Sequence, residues 1–347
     1  MLPVLTAIGS MACVVALGWV IQRTGLLAGR GLPRGIARDR AGDGGAGARQ
    51  TLATLSFTIC APALMFSTLA STDLAHVLSR GAAVTWITTA VLGLATAAAA
   101  RWLLRLPAGP AAVTTLAAVY VNGGNIGLPL AVYLFDDALA VVPTLLFQLL
   151  VLAPLTLSAL DRATATADGG TPARSGWRSM GQVFLAAFRN PITLGTVAGL
   201  LVAVVAELTG ARLPDVVLLP FDLIGAAAPP LGLLTFGMTL AVPMPAADAD
   251  LGVAAGRGRR LVGWVIAIAV LVRNLLHPLA AWALGSAVGL DAPALALVVT
   301  MAALPTAVNV TTYATRYGVF DGVAARATVW TTALCMPVLV AIGALLV

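Results

Sequence analysis

Charge is scarce in this chain: of 347 residues only 10% are charged, while 60% are hydrophobic. A water-soluble domain of this size carries about a quarter charged residues. So little charge cannot hydrate a whole surface, which excludes an ordinary soluble domain and leaves much of the protein facing hydrocarbon. Lysine is missing altogether, and all 20 basic residues are arginine. That excludes a Walker-type phosphate loop, which needs its lysine. Neither HExxH nor GxSxG occurs, and no carboxylate cluster offers a metal site, so the sequence gives no sign of an enzyme or of a cofactor. Three cysteines, Cys13, Cys60 and Cys335, stand in separate apolar runs without metal or disulfide spacing and read as small buried hydrophobes. The net charge of +6 does not indicate nucleic acid, because the arginines do not cluster with aromatics on one polar face. They lie between the apolar runs, where they set topology. Arginine used to the exclusion of lysine, with abundant Ala and Gly, fits a GC-rich bacterial genome.

What is present is a series of apolar runs, several of 18 residues or more, the length a helix needs to cross a bilayer. Ten spans are predicted, at roughly 2–22, 51–70, 81–104, 110–135, 139–160, 190–208, 214–242, 261–284, 292–315 and 319–346. The first lacks a basic region ahead of it and does not read as a cleaved signal. Counting Arg by loop places 17 on one side and only Arg80 and Arg212 on the other, with Arg273 inside the eighth span. By the positive-inside rule both termini lie outside a plasma membrane. Loops 23–50 and 161–189 are Gly/Arg or Ser/Thr/Gly rich and read as linkers without cores. The second separates residues 1–160 from 190–347. Five spans in each half, an odd number, give the halves opposite orientation, the arrangement of an inverted repeat. Prolines match between halves: Pro62 with Pro229-Pro230, Pro129 with Pro305, Pro154 with Pro337.

Two spans carry the chemistry. The fourth reads Asn122-Gly123-Gly124-Asn125-Ile126-Gly127-Leu128-Pro129. Its glycines and proline make a poor helix interior, and Pro129 frees the carbonyl of Asn125. The ninth reads Leu304-Pro305-Thr306-Ala307-Val308-Asn309, with proline and asparagine in reversed order. Broken backbone at membrane depth is tolerated only where protein or a watery cavity covers it. Glycine and proline could simply kink helices for packing, with Asn as a clip between them. Two breaks at matched positions instead point to a carrier's solute site, where half-helix N-termini favour an anion. Asn122, Gly124, Asn125, Gly127, Pro129, Pro305 and Asn309 are the candidate binding residues. The ionisable residues inside spans are few, and each is a candidate. Arg273 either pairs with Asp222 in span seven or faces the cavity and attracts an anion. His277 either titrates with a coupled proton or is a packing residue beside Pro278, and a coupled proton or other ion is a candidate partner.

These segments resemble the auxin efflux carrier family, which includes plant auxin exporters and bacterial malonate-type carriers. Asn122 to Pro129 is similar to the family's N-x-x-N-x-G-x-P stretch. Leu304 to Asn309, followed by Arg316-Tyr317-Gly318, is similar to its span-nine motif. Arg273-Asn-Leu-Leu-His277-Pro278 resembles its K-x-x-x-H-P segment with Arg for Lys, and Ala61-Pro62-Ala63-Leu64-Met65-Phe66 matches its span-two pattern. The resemblance implies an all-α membrane fold of ten helices in two inverted five-helix repeats, with spans four and nine crossing at their prolines around the solute. It implies a scaffold of spans one, two, six and seven beside a moving bundle of the others, an elevator-type secondary carrier, a homodimer, and a small organic anion such as malonate, malate or an auxin-like acid as cargo. The alternative is a sensor or ligand-binding membrane protein with the same fold and no transport.

Overall fold

The computed structural model describes residues 2–27, 44–72, 79–167, 191–242 and 255–346. Most of loop 23–50 and of linker 161–189 lies outside the described residues. The ends of both are helical: one helix begins at Gly44, and another runs on to Ala167, seven residues past the predicted end of span five. The described residues are otherwise helices joined by short turns. They are α1 (Leu2–Thr24), α2 (44–70), α3 (Arg80–Leu103), α4 (Ala108–Val119), α5 (Gly123–Phe135), α6 (138–167), α7 (Pro191–Thr209), α8 (Asp215–Leu240), α9 (255–287), α10 (Ala292–Ala302), α11 (Val308–Tyr317) and α12 (Asp321–Leu346). Seven of them, α2, α3, α6, α7, α8, α9 and α12, are long and apolar enough to cross a membrane, whereas α4, α5 and α10 are shorter apolar helices. Large side chains such as Leu208, Leu223 and Trp102 are about 80% exposed, a surface suited to lipid.

Proline shapes several of these helices in one way. Pro62, Pro129, Pro154 and Pro278 each stand at the second position of a regular stretch preceded by a five-residue π-turn: Ser56–Cys60, Gly123–Gly127, Gln148–Leu152 and Val272–Leu276. A proline ring clashes with the carbonyl four residues back and offers that carbonyl no N–H. Widening one turn relieves the clash, and the residue before the proline then bonds five residues back, as His277 N does to Val272 O. Such π-turns are frequent at functional sites. Pro337 is accommodated inside α12.

The chain folds into two compact units, and each draws helices from both halves of the sequence. One comprises Met1–His76, Gly124–Leu139 and Pro191–Pro243, and the other Val77–Gly123, Ala140–Asn190 and Met244–Val347.

The first unit holds α1, α2, α5, α7 and α8, packed through glycine. A Cβ added at Gly18 of α1 would stand 2.1 Å from the Leu234 carbonyl oxygen of α8, and one at Gly237 of α8 would stand 2.0 Å from that of Val15. The two glycines therefore lock α1 and α8 backbone to backbone. Gly195 and Gly199 of α7 lie in the same way against Pro62 and Phe66 of α2. Small residues at helix crossings are the rule in lipid, where close packing rather than water exclusion drives association. Cys60 is buried here, whereas Cys13 sits exposed on α1, contrary to its reading as a buried residue.

The second unit is built round α4. Residues Ala111 to Val119 of this helix are all buried, as expected of a helix apolar on every side. Val265 and Ala269 of α9, Val310 and Ala314 of α11 and Val323, Ala324 and Ala327 of α12 share its core.

Candidate functional site

The second unit brings the two predicted breaks together. α4 stops at Val119 and α10 at Ala302, each shortly ahead of glycine or proline. The freed strands pair antiparallel, with Val121 opposite Thr306. Asn122 N donates to Pro305 O at 2.8 Å, and Ala307 N donates to Tyr120 O at 3.0 Å. Buried backbone must find partners, and each break supplies them for the other.

Side chains complete the accounting. The N–H of Val121 donates to the Gln148 carboxamide oxygen, and Thr306 N donates to Thr331 Oγ1 at 3.1 Å. Gln148 lies on α6 and Thr331 on α12, the helices that follow each broken pair in sequence. The two facing residues are thus satisfied in corresponding ways. Thr306 Oγ1 adds a bond to the Ala117 carbonyl at 2.6 Å. Gln148, Thr306 and Thr331 are 2%, 0% and 0% exposed. Sequence reasoning missed all three. The available signal for Gln148 was a lone carboxamide in an otherwise apolar run.

The predicted binding residues distribute as follows. Asn122 is buried, and its amide nitrogen has no hydrogen-bond partner. Pro305 is buried in the crossing. Asn309 is half-buried at the second position of α11, whose N-cap is Ala307 and provides no side-chain oxygen. Val310 N donates to the Ala307 carbonyl at 3.1 Å, and the cap residue has no side chain to accept from the N–H groups ahead of it. Gly124, Asn125, Gly127 and Pro129 continue into α5 of the first unit, and the boundary between the units falls between Gly123 and Gly124. There Asn125 is half-buried, and its backbone lies against α8 at Gly232, where an added Cβ would meet its carbonyl oxygen at 3.3 Å. Both broken elements end alike: α5 closes on Asp136 and α11 on Gly318, each left-handed, at φ 51° and 62°.

Arg273 and His277 occupy the π-turn of α9 and the residue after it. Arg273 is 0% exposed and is the only fully buried charged side chain among the described residues. Its Nη2 donates both to His277 Nδ1 and to the Ala302 carbonyl, the last of α10. A cation at a helix C-terminus is favourably placed against the helix dipole. Nε and Nη1 have no partner. Because Nδ1 accepts, the proton of neutral His277 belongs on Nε2, which lies 3.2 Å from Thr89 Oγ1. The Thr89 hydroxyl in turn donates to Thr85 O at 2.7 Å. A second proton on His277 would set donor against donor at Nδ1, so His277 takes up a proton only if Arg273 moves. Asn274, beside Arg273, donates to the Thr331 carbonyl at 2.9 Å, joining this cluster to the helix that caps the crossing. Asp222 lies exposed on α8 of the first unit. At the C-terminal end of α11, Tyr317 donates to Asp161 of α6 at 2.7 Å.

Residues 45–342 match the family described as membrane transport protein. No curated protein matches the chain.

Proposed function

Since the chain belongs to the membrane transport protein family, the auxin efflux carriers, and is thereby a multi-pass membrane transporter, we propose that it is a secondary carrier of a small organic anion. The observation that carries this reading is the pairing of two broken helices through Val121 and Thr306. Non-helical backbone inside an apolar protein marks the solute site of many carriers. Three features favour an anion: the uncapped start of α11, the unpartnered Asn122 amide and the buried positive charge of Arg273 in the same unit. Asn122, Gly124, Asn125, Gly127, Pro129, Pro305 and Asn309 form the site in this proposal, with Arg273 and His277 supporting it.

The finer reading is ten spans in two inverted repeats, counting α4 with α5 and α10 with α11 as single broken spans. The matched capping by Gln148 and Thr331 supports it, as do the matched left-handed ends at Asp136 and Gly318. Both termini then lie outside the plasma membrane. The two compact units support an elevator, since α1, α2, α7 and α8 fall in one and α3, α4, α6 and α9 to α12 in the other. The exception is α5, which the family pattern assigns to the moving bundle and which clusters with the scaffold helices. A homodimer completes the proposal.

The test is flux. Purified protein in liposomes takes up or releases labelled malonate, malate or an aromatic acid, and Asn125→Ala and Asn309→Ala each reduce the rate about tenfold, the factor that ~1.4 kcal/mol of lost binding makes. If both variants leave the flux unchanged, the site is elsewhere. Saturable binding without flux would instead mark a sensor.

A further inference from the structure

Carriers commonly hold a coupling cation on unwound carbonyls and on the C-terminal ends of half-helices, where the backbone dipole is negative. In this protein α4 and α10 are half-helices with such an end, and the last carbonyl of α10, Ala302, receives Nη2 of Arg273. The same nitrogen also reaches the lone pair of His277 Nδ1. Two acceptors from different elements therefore converge on one cationic nitrogen. Asn274 Oδ1 and Thr300 Oγ1, on the same π-turn and on the last turn of α10, are buried oxygens without partners. The surroundings offer oxygens, and among the described residues no buried carboxylate balances the charge. A lone buried cation is expensive. It persists where a site needs a positive charge permanently.

We propose that Arg273 is a tethered cation filling a monovalent-cation site at the C-terminal end of α10, so that the protein works without a dissolved coupling cation. The guanidinium moves with its own helix and cannot be released, and the site is charged in every state of the cycle. Removing the side chain leaves the Ala302 carbonyl and His277 Nδ1 aimed at an empty position that a small cation fills. The flux arm of the test rests on the carrier reading above, and the stability arm does not.

Purified Arg273→Ala is melted in detergent at pH 8, where an imidazole released from Arg273 carries little proton. Sodium, methylguanidinium and choline chlorides are compared at equal ionic strength. The variant melts below wild type, and methylguanidinium, with sodium to a lesser degree, raises its midpoint by about 3 °C or more. Choline does not, and wild type responds to none of the three. Arg273→Lys, which keeps a charge at the site, remains as indifferent to sodium as wild type and serves if the alanine variant fails to fold. In liposomes, wild-type flux is the same with a sodium gradient in either direction or with none. The proposal is overturned if sodium raises the midpoint or flux of wild type, if Arg273→Lys gains a sodium response, or if the alanine variant responds equally to choline. Absence of flux with every acid tried counts against the carrier reading alone.

Discussion

Gly237→Ala should abolish recovery of folded protein, or lower its melting point far below that of wild type. The new Cβ would lie 2.0 Å from the Val15 carbonyl oxygen, with Val15 C and Cα at 2.8 and 3.0 Å. All three atoms are backbone, so no rotamer change relieves the contact. α1 and α8 must separate by about 1 Å, and that opens the packing along the whole crossing, because interiors have no slack to absorb it. Overpacking typically costs about 1–3 kcal/mol and more where the backbone itself is struck. Gly18→Ala meets the Leu234 carbonyl from the other side at 2.1 Å and should behave alike. Gly263→Ala is the control, since nothing lies within 4 Å of its Cβ position. Size-exclusion profiles and melting curves in detergent check the set. If Gly237→Ala melts with the control, the α1–α8 packing is not as described.

The second large effect falls at the crossing. Gln148→Met keeps the length of the side chain and removes the oxygen that accepts from Val121 N. A buried N–H left without a partner costs about 1–3 kcal/mol. Thr331→Val does the same to Thr306 N. Because Val121 and Thr306 face each other, the two losses should not add: once one strand has shifted, the pairing that the second substitution would disturb is already weakened. The broken backbone also presents Asn122, so solute affinity should fall along with stability, by about tenfold for ~1.4 kcal/mol. Stability and apparent affinity measured for both single variants and the double give the coupling directly. Strict additivity would mean that the two caps act on independent sites.

These partners also show where reading the sequence stops. The breaks were legible because Gly124, Gly127, Pro129 and Pro305 are poor helix formers in runs otherwise suited to span a membrane, although Gly124, Gly127 and Pro129 lie inside α5 and the chain leaves the helix just ahead of them, at Tyr120 to Asn122. That failure is local and needs no knowledge of the fold. The caps were not legible, because a threonine or glutamine in an apolar helix has the same appearance whether it bonds its own turn or another helix. Many threonines here do the former, as Thr115 and Thr328 do. Arg273 illustrates the same limit. Sequence offers it Asp222 as one of few opposite charges, whereas its partners are a histidine one turn on and the Ala302 carbonyl. A backbone carbonyl is carried by every residue, and no pattern marks the one that matters. The π-turns fall between these cases. Proline signals the disturbance, but whether a helix stops, as before Pro305, or widens, as before Pro278, depends on what packs around it.

Disulfide trapping can show whether the two breaks form one paired site. Val121 and Thr306 face each other in an antiparallel pair flanked by, rather than sharing, its hydrogen bonds. Such residues have Cα atoms about 4.5 Å apart, within disulfide range. With Cys13, Cys60 and Cys335 replaced by alanine, the double variant Val121→Cys, Thr306→Cys is oxidised in membranes, and free thiols are counted by mass. Near-complete loss of both thiols is expected in the double variant and none in either single. Two thiols that survive oxidation in folded protein would contradict it.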